Sequence, residues 1–239
     1  MKRAVEKQPS LIAEMFDQIA GRYDLMNRIL TAGLDRRWRA AAVSSLDLTG
    51  SETVVDLCTG TADLAVALAR DVRGAEFVIG VDFAREMLRH GMAKLRGMEL
   101  SGRVQLIRGD ASQLPISTGV AHAATIAFGI RNVADVRATL AEVSRIVKSG
   151  GRIAILEFSL PTRLPFLWSI YAWYFRRLLP WLGRSVTGHA SAYTYLPESI
   201  GAFYSPTDFS QLLVDEGFVD VRVVPVQFGI VHLYEARTL

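Results

Sequence analysis

The chain has 239 residues, 50% of them hydrophobic, and a net charge of +3 at pH 7. This length suits one large domain with a sizeable core, and residues 1–239 are therefore treated as a single domain. So small a charge excess does not indicate a nucleic-acid surface, and no nucleic-acid partner is expected. Cys58 is the single cysteine, which excludes a disulfide within the chain and favours the reducing cytoplasm. No long apolar run resembling a signal peptide opens the sequence.

The N-terminal segment is predicted to be helical. Residues 11–30 and 34–46 have the apolar spacing of helices. We expect residues 1–50 to fold over the open end of a sheet as a lid, with Tyr23, Asp24 and Asn27 clustered in it. The alternative is an amphipathic cover whose polar groups are only solvated.

The next segment predicts a strand, a turn and a helix. Thr53 to Val55 is a β-branched run, a turn follows around Gly60, and Leu64 to Arg70 has the pattern of a packed helix. Such a unit begins a doubly wound α/β sheet, in which ligands bind beyond the carboxyl ends of the strands.

The charges in this turn indicate which ligand it holds. A dinucleotide fingerprint needs three glycines around a pyrophosphate, whereas this turn has Gly60 flanked by Asp56 and Asp63. Two carboxylates repel a pyrophosphate and favour a ligand with positive groups. S-adenosylmethionine, with its ammonium, sulfonium, ribose and adenine, is such a ligand.

Two further strands end in acids. The strand at 77–82 ends in Asp82, which could accept both ribose hydroxyls. The strand at 103–109 is followed by Asp110, which could accept from an adenine amino group, and by Ala111, whose amide could donate to a ring nitrogen. The alternative is that these aspartates only cap helices.

The remaining pattern completes an α/β fold. Helices are expected at 84–97, 135–148 and 206–216, with Lys148 to Gly151 as a glycine helix stop, and strands at 121–128 and 152–159. Residues 218–226 and 228–236 predict a hairpin around Gly229, giving seven mostly parallel strands with the last antiparallel.

An apolar insertion is expected at 160–205, after the fifth strand. Leu164 to Phe175 is a run of 12 uncharged, aromatic-rich residues. A bilayer-spanning helix needs about 20, so the run suits an interfacial or pocket-lining helix. Packing into the core is the alternative.

Four motifs carry a resemblance to a known family: residues 16–27 (FDQIAGRYDLMN), 128–133 (FGIRNV), 156–159 (LEFS) and 193–200 (YTYLPESI). On these motifs the chain resembles the ubiquinone/menaquinone biosynthesis C-methyltransferases, a branch of the class I S-adenosylmethionine-dependent methyltransferases. The resemblance implies a Rossmann-like seven-stranded sheet with helices on both faces. It also implies methyl transfer to a ring carbon of a polyprenylated quinol, either demethylmenaquinol or its benzoquinol counterpart in ubiquinone synthesis.

The resemblance also implies Thr61, Asp82, Asp110 and Ala111 as cofactor contacts. We expect Gly60, Ala127 and Tyr23 to contact the cofactor as well. Two positions depart from the family pattern. Ala62 stands where glycine is usual, so it is expected to avoid backbone angles that only glycine tolerates. Ala127 replaces a serine found in some members, which leaves only packing or backbone contact there.

Arg131 is the first catalytic candidate, because a fixed cation at the ligand end could stabilise a phenolate or orient a water. Asn132 is expected to hold the same loop. The alternative for Arg131 is a structural ion pair. Weaker candidates are Tyr23, Asp24, His189 and Tyr195. The histidines are scattered without metal-site spacing, so no metal is expected.

A prenylated quinol resides in the bilayer, so we expect a cytoplasmic protein that is peripheral at the inner face of the membrane. Two rival functions remain: a class I methyltransferase acting on oxygen or nitrogen of a small molecule, and a non-catalytic S-adenosylmethionine-binding scaffold. The sequence leaves open the ring type, the tail length, whether the chain forms a homodimer, and which group takes the proton.

Overall fold

The computed structural model describes residues 9–159 and 191–239, which contain a seven-stranded sheet in the order β3-β2-β1-β4-β5-β7-β6. The strands are β1 Thr53–Leu57, β2 Phe77–Asp82, β3 Val104–Arg108, β4 Ala121–Ala127, β5 Val147–Phe158, β6 Val219–Val226 and β7 Val231–Arg237. Strands β1 to β5 pair in parallel, and β7 runs antiparallel to both β5 and β6. The predicted doubly wound sheet with a C-terminal hairpin is confirmed.

Eight α-helices connect and cover the strands in the described residues. They are α1 Pro9–Ile19, α2 Tyr23–Leu30, α3 Asp35–Ser45, α4 Asp63–Arg70, α5 Arg85–Gly97, α6 Val136–Ile146, α7 Ser191–Ala202 and α8 Pro206–Asp215. Short 3-10 turns lie at Ala20–Arg22, Ile130–Asn132 and Gln227–Gly229.

The sheet separates two hydrophobic layers. Neighbouring strand residues point to opposite faces, so Val54 packs with α3, α4 and α5, whereas Val55 packs with α6 and α8. Both faces of the parallel strands are thereby covered, which explains why their sequences are nearly continuous apolar runs.

The N-terminal helices form a third, smaller core. Ile19 and Met26 pack against Ala84 and Met87 at the start of α5, and Ile200 of α7 joins them. Asp17 of α1 accepts a 2.7 Å hydrogen bond from the backbone N–H of Glu86. A carboxylate on one helix thus caps the N-terminus of another, which positions α1 beside the carboxyl end of β2.

Two predicted segments differ from the structure. The helix expected over 11–30 is broken by the 3-10 turn at Ala20–Arg22. The glycine stop at 148–151 is wrong: α6 ends at Ile146, and residues 147–151 already belong to β5. The physical reason is that Val147 pairs with Ala121, and a register shift absorbs the following residues, including Gly150 at φ +73°.

Most of the insertion expected at 160–205 lies outside the described residues. Its last part, including 193–200, forms α7. Of the described helices, none is both long and apolar enough to cross a membrane.

Candidate active site

A cleft opens at the carboxyl ends of β1, β2, β3 and β4, with about 720 Å³ of empty space including its mouth. We call it the strand-end cleft. Its lining residues are Phe16, Tyr23, Cys58, Gly60, Val81, Asp82, Phe83, Met87, Gly109, Asp110, Ala111, Ala127, Phe128, Gly129, Asn132, Val133 and Ala134. Six of the seven residues expected to contact a cofactor are in this set. Thr61 is the exception.

Asp82 lies at the centre of the strand-end cleft, at the end of β2. Its Oδ2 accepts a 2.8 Å hydrogen bond from the Gly60 N–H, and its Oδ1 accepts a 2.9 Å bond from the Ala84 N–H. Burial raises the pKa of this carboxyl to about 6, against the opposing effect of these backbone donors. The Phe83 N–H acts on the same carboxyl, and because a carboxylate has about four acceptor sites, it can still accept from a ligand hydroxyl.

Asp110 is exposed at the end of β3. Its Oδ1 accepts from the backbone N–H and the hydroxyl of Ser112, at 2.8 and 2.7 Å. Its Oδ2 has no hydrogen-bond partner among the described residues, so it remains available to an amino donor. Ala111 beside it is buried and lines the same cleft.

The first and fourth strands are each followed by a residue with a left-handed backbone, Cys58 at φ +53° and Phe128 at φ +59°. Gly129 packs directly on Cys58: a Cβ on Gly129 would lie 2.2 Å from the Cys58 Cβ. Two strand ends can approach this closely only because Gly129 has no side chain. Burial raises the pKa of the Cys58 thiol, so it is not poised as a nucleophile.

The expectation for Ala62 is wrong. It has φ +67° and ψ +25° immediately before α4, a conformation that glycine adopts more readily. The side chain is fully buried, and its Cβ packs on Gly91 of α5. Tertiary packing therefore holds an alanine at an angle that costs about 1–2 kcal/mol.

The two aspartates of the turn do not face the ligand cleft, which corrects the expectation that they attract a cationic ligand. Asp56 is buried and accepts hydrogen bonds from the hydroxyls of Thr59 and Thr125, at 2.6 and 2.8 Å. Burial raises its pKa to about 6. Asp63 instead forms a 2.6 Å ion pair with Lys94.

Lys94 also joins the N-terminal helices to the sheet domain. It lies on α5 and forms a second 2.6 Å ion pair with Asp24 of α2. Thr61, expected to contact the cofactor, donates its hydroxyl to the same Asp24 and is 2% exposed. Asp24 and Thr61 therefore fix α2 in place and do not line the strand-end cleft.

A second, larger cavity adjoins the strand-end cleft, with about 1400 Å³ of empty space including its mouth. We call it the apolar cavity. It is lined by Met15, Phe16, Ile19, Tyr23, Met26, Asn27, Leu30, Thr31, Ala32, Leu34, Asp35, Trp38, Arg39, Phe128, Arg131, Phe158, Leu196, Gln227 and Ile230. Phe16, Tyr23 and Phe128 line both spaces. The two spaces therefore adjoin at these three side chains.

Aromatic rings and cations form one wall of the apolar cavity. Phe128 and Phe158 lie 4.6 Å apart between ring centroids, and Trp38 meets both edge-on. The guanidinium of Arg39 lies 5.9 Å from the Phe128 centroid, and that of Arg131 lies 5.7 Å from the Phe158 centroid. This wall suits a flat, electron-rich ring.

Arg131 lines the apolar cavity and not the strand-end cleft. Its Nη1 donates to Glu157 Oε1 at 2.7 Å, and both side chains are buried. The ion pair that was the alternative for Arg131 therefore exists. Its Nε nevertheless has no partner, the one such buried side-chain nitrogen or oxygen in the described part of the chain. A buried N–H without a partner favours an added acceptor.

The other catalytic candidates lie around the same junction. Asn132 lines the strand-end cleft, and its Oδ1 accepts a 3.1 Å hydrogen bond from the hydroxyl of Tyr195 in α7. Burial raises the pKa of both Tyr23 and Tyr195. His189 lies outside the described residues. Sequence reasoning missed Asp35 and Arg39, which have no motif around them and face the cavity only through the packing of α3.

The charge of the strand-end cleft determines what it can hold. Its ionisable lining residues in the described structure are Asp82, Asp110, Tyr23 and Cys58, and no lysine or arginine is among them. Such a lining does not neutralise a pyrophosphate. Carboxylates at the ends of β2 and β3 instead fit the hydroxyls and amino group of an adenosine whose remaining charge is positive.

Comparison with known proteins agrees with this geometry. The model of the ubiE/COQ5 methyltransferase family matches residues 1–237. The chain is 41% identical over 231 residues to the ubiquinone/menaquinone biosynthesis C-methyltransferase UbiE of Geobacter sp. (strain M21), covering 97% of each protein. It is 42% identical over 222 residues to a demethylmenaquinone methyltransferase of Thermus thermophilus, covering 92% of this chain and 98% of that one.

The fold has solved counterparts. A SAM-dependent methyltransferase from Aquifex aeolicus matches with a TM-score of 0.62 and 18% identity, over 84% of this chain and 89% of that one. At that identity the likeness shows the fold alone, a class I methyltransferase sheet. Together with the family match, it follows that the chain belongs to the ubiE/COQ5 methyltransferase family and is an S-adenosylmethionine-dependent methyltransferase.

Proposed function

We propose that this protein methylates a ring carbon of a polyprenylated quinol, either demethylmenaquinol or the corresponding benzoquinol. One observation carries the proposal: the apolar cavity adjoins the strand-end cleft across Phe16, Tyr23 and Phe128, and contains a buried arginine with an unpartnered N–H. The names of the relatives support the same reaction class.

S-adenosylmethionine supplies an electrophilic methyl group on sulfur when bound. In the strand-end cleft, Asp82 would accept the ribose hydroxyls, and Asp110 with the Ala111 amide would hold the adenine edge. Gly60, Ala127 and Tyr23 would supply packing and backbone contact along the remaining wall. Thr61 would act only indirectly, because its hydroxyl is committed to Asp24.

A quinol carbon becomes nucleophilic when a neighbouring hydroxyl loses its proton, because the oxygen then donates electron density to the ortho carbon. The apolar cavity would exclude water and hold the ring against Trp38, Phe128 and Phe158. Arg131 would stabilise the developing phenolate through its free Nε–H, while Glu157 keeps its guanidinium in place. Asn132 and Tyr195 would fix the loop between the two spaces.

The lid and membrane expectations belong to the same proposal. Helices α1 and α2 contribute Phe16 and Tyr23 to both spaces, so residues 1–50 would close over a bound quinol. Residues 164–182, rich in tryptophan and tyrosine beside arginines, would deliver the prenylated substrate from the membrane surface. Loss of quinol methylation and of binding to anionic liposomes on changing Trp168 and Trp173 is the expected result, and retention of both refutes the membrane part.

The test of the reaction is transfer of a labelled methyl group from S-adenosylmethionine to reduced demethylmenaquinone and, separately, to the demethylated benzoquinol precursor. We expect label on a ring carbon of at least one product. A methyl ether would indicate an O-methyltransferase. Cofactor binding without label on either quinol would indicate a non-catalytic scaffold, and each result overturns the proposal.

A further inference from the structure

The apolar cavity contains few groups that can take a proton. Its ionisable lining residues in the described structure are Tyr23, Asp35, Arg39 and Arg131. Arginine does not deprotonate in proteins, and burial raises the pKa of Tyr23, so neither residue type serves as a base at neutral pH. Among the described residues, Asp35 is the one carboxylate in that lining, and no histidine, glutamate or cysteine from the same ranges accompanies it.

Asp35 is held at the first turn of α3 by its neighbours. Its Oδ1 accepts a 3.0 Å hydrogen bond from the Thr31 hydroxyl, and its Oδ2 pairs with Arg39 one helical turn later. The residue is 3% exposed. These contacts use two of about four acceptor sites, so the carboxylate can still accept a proton from a hydroxyl in the cavity.

From this arrangement we propose that Asp35 is the general base that removes the hydroxyl proton of the acceptor, an inference that rests on the proposed function. Arg39 is its positioning partner and keeps the carboxylate at the cavity wall. General bases need hydrogen-bond reach of the proton that they take, and Asp35 is the residue of the cavity lining that offers a carboxylate oxygen for it.

The proposed methyl transfer begins at the acceptor hydroxyl. The hydroxyl O–H bond breaks, its proton goes to Asp35, and the electron pair passes through the ring to the ortho carbon. That carbon forms a bond to the methyl group while the methyl–sulfur bond breaks, its electron pair remaining on sulfur. The ring carbon then loses its hydrogen as a proton to solvent, and the proton held by Asp35 returns to the ring oxygen, which restores the aromatic quinol. The net products are methylated quinol, S-adenosylhomocysteine and one proton.

The charged groups facing Asp35 come from several elements. Arg39 lies on the same helix, and its Nη2 lies 3.6 Å from Asp63 Oδ2 of α4. Tyr23 of α2 and Arg131, paired with Glu157, line the same cavity. Asp63 is a second carboxylate that pairs with Arg39, but it does not line the cavity. It therefore serves as a control for the loss of a carboxylate beside Arg39.

The experiment compares Asp35→Asn with Asp63→Asn in the full-length protein, after methyl transfer by the unaltered protein has been established. We expect Asp35→Asn to lower kcat at pH 7 by at least about 100-fold, as loss of a general base does. The dissociation constant of a non-reactive quinol analogue, measured by tryptophan fluorescence, should change less than about threefold. Asp63→Asn should retain kcat within about fivefold, because it disturbs Arg39 and leaves the carboxylate of Asp35 in place.

The dependence of kcat/KM on pH distinguishes a general base from a residue that only stabilises the structure. A phenol ionises in solution with a pKa of about 10, so kcat/KM of Asp35→Asn should rise about tenfold per unit between pH 7 and 9. Formate should also restore part of the activity of Asp35→Ala, saturably, by replacing the missing carboxylate. If Asp35→Asn does not fold, Asp35→Asn/Arg39→Gln removes the whole buried pair and is measured in its place.

Three results overturn the inference. They are kcat of Asp35→Asn within tenfold of the unaltered protein, equal losses in Asp35→Asn and Asp63→Asn, and a loss that is constant from pH 7 to 9 without formate rescue. If the unaltered protein methylates no quinol, the proposed function itself fails, and the role of Asp35 falls with it.

Discussion

The contact between Gly129 and Cys58 gives a sharp test of how the strand-end cleft is built. In the Gly129→Ala variant, the new Cβ would lie 2.2 Å from the Cys58 Cβ and 2.9 Å from its Sγ. Gly129 has φ −116° and ψ −30°, which any residue adopts, so the cost comes from the contact and not from the backbone angle. The Cys58 Cβ is attached to the main chain and cannot rotate away.

The magnitude follows from these distances. Overpacking costs about 1–3 kcal/mol, and a carbon–carbon distance of 2.2 Å belongs at the upper end, about 3 kcal/mol. Cys58→Gly removes the opposing Cβ and suits φ +53°, a gain of about 1–2 kcal/mol that offsets the lost thiol packing. The double variant should therefore recover about 2 kcal/mol relative to the sum of the single changes.

Urea unfolding of the two single variants and the double variant measures this coupling. Cys58→Ser/Gly129→Ala retains the Cβ and should show no recovery, while Gly102→Ala, which meets nothing within 4 Å, should stay within about 0.5 kcal/mol. S-adenosylmethionine affinity should fall with Gly129→Ala and return with Cys58→Gly. Additive single changes, or a cost of Gly129→Ala below about 0.5 kcal/mol, would refute the reasoning.

Three further predictions concern charged side chains. Burial raises the pKa of Asp56 from 3.8 to about 6, so the folded state binds the extra proton, and this residue's contribution to stability falls as pH rises from about 4 to 6. Relative to the unaltered protein, the free energy of unfolding of Asp56→Asn in urea should thus gain about 2 kcal/mol between pH 4.5 and 7.5. Arg131→Met leaves Glu157 charged and unpaired, and should lower the free energy of unfolding by about 3–5 kcal/mol. Lys94→Met leaves two carboxylates facing each other, so amide hydrogens of α2 should exchange faster than in the unaltered protein. Exchange in α8 should stay the same in both proteins.

Each of these has a contrary outcome. Parallel pH profiles of Asp56→Asn and the unaltered protein would show that the Asp56 carboxyl does not titrate abnormally. Arg131→Met/Glu157→Gln should recover most of the stability without recovering methyl transfer; recovery of both would reduce Arg131 to a structural residue. Unchanged exchange in α2 of Lys94→Met would mean that hydrophobic packing alone holds that helix.

Sequence reasoning predicted the features that depend on the order of strands and missed those that depend on tertiary packing. Asp82, Asp110, Gly60 and Ala127 all line the strand-end cleft, because parallel strands bring their carboxyl ends to one edge, and their contact with a cofactor stays a prediction. Ala62 was predicted wrongly, because residue type alone does not show that packing on Gly91 holds it at a positive φ.

The sequence by itself determined the order of strands and helices and the family, since periodicity and motifs depend only on nearby residues. Only the tertiary structure decided which acids face a ligand. Asp56 and Asp63 come from the same turn as Gly60, yet Asp63 is taken by Lys94, 31 residues away, and Asp56 by Thr125, 69 residues away. Asp35, which lies outside every motif, reaches the apolar cavity instead. Such pairings join residues that are far apart in the sequence and meet only when helices and strands pack together. The local sequence around each residue does not show which distant partner it will meet.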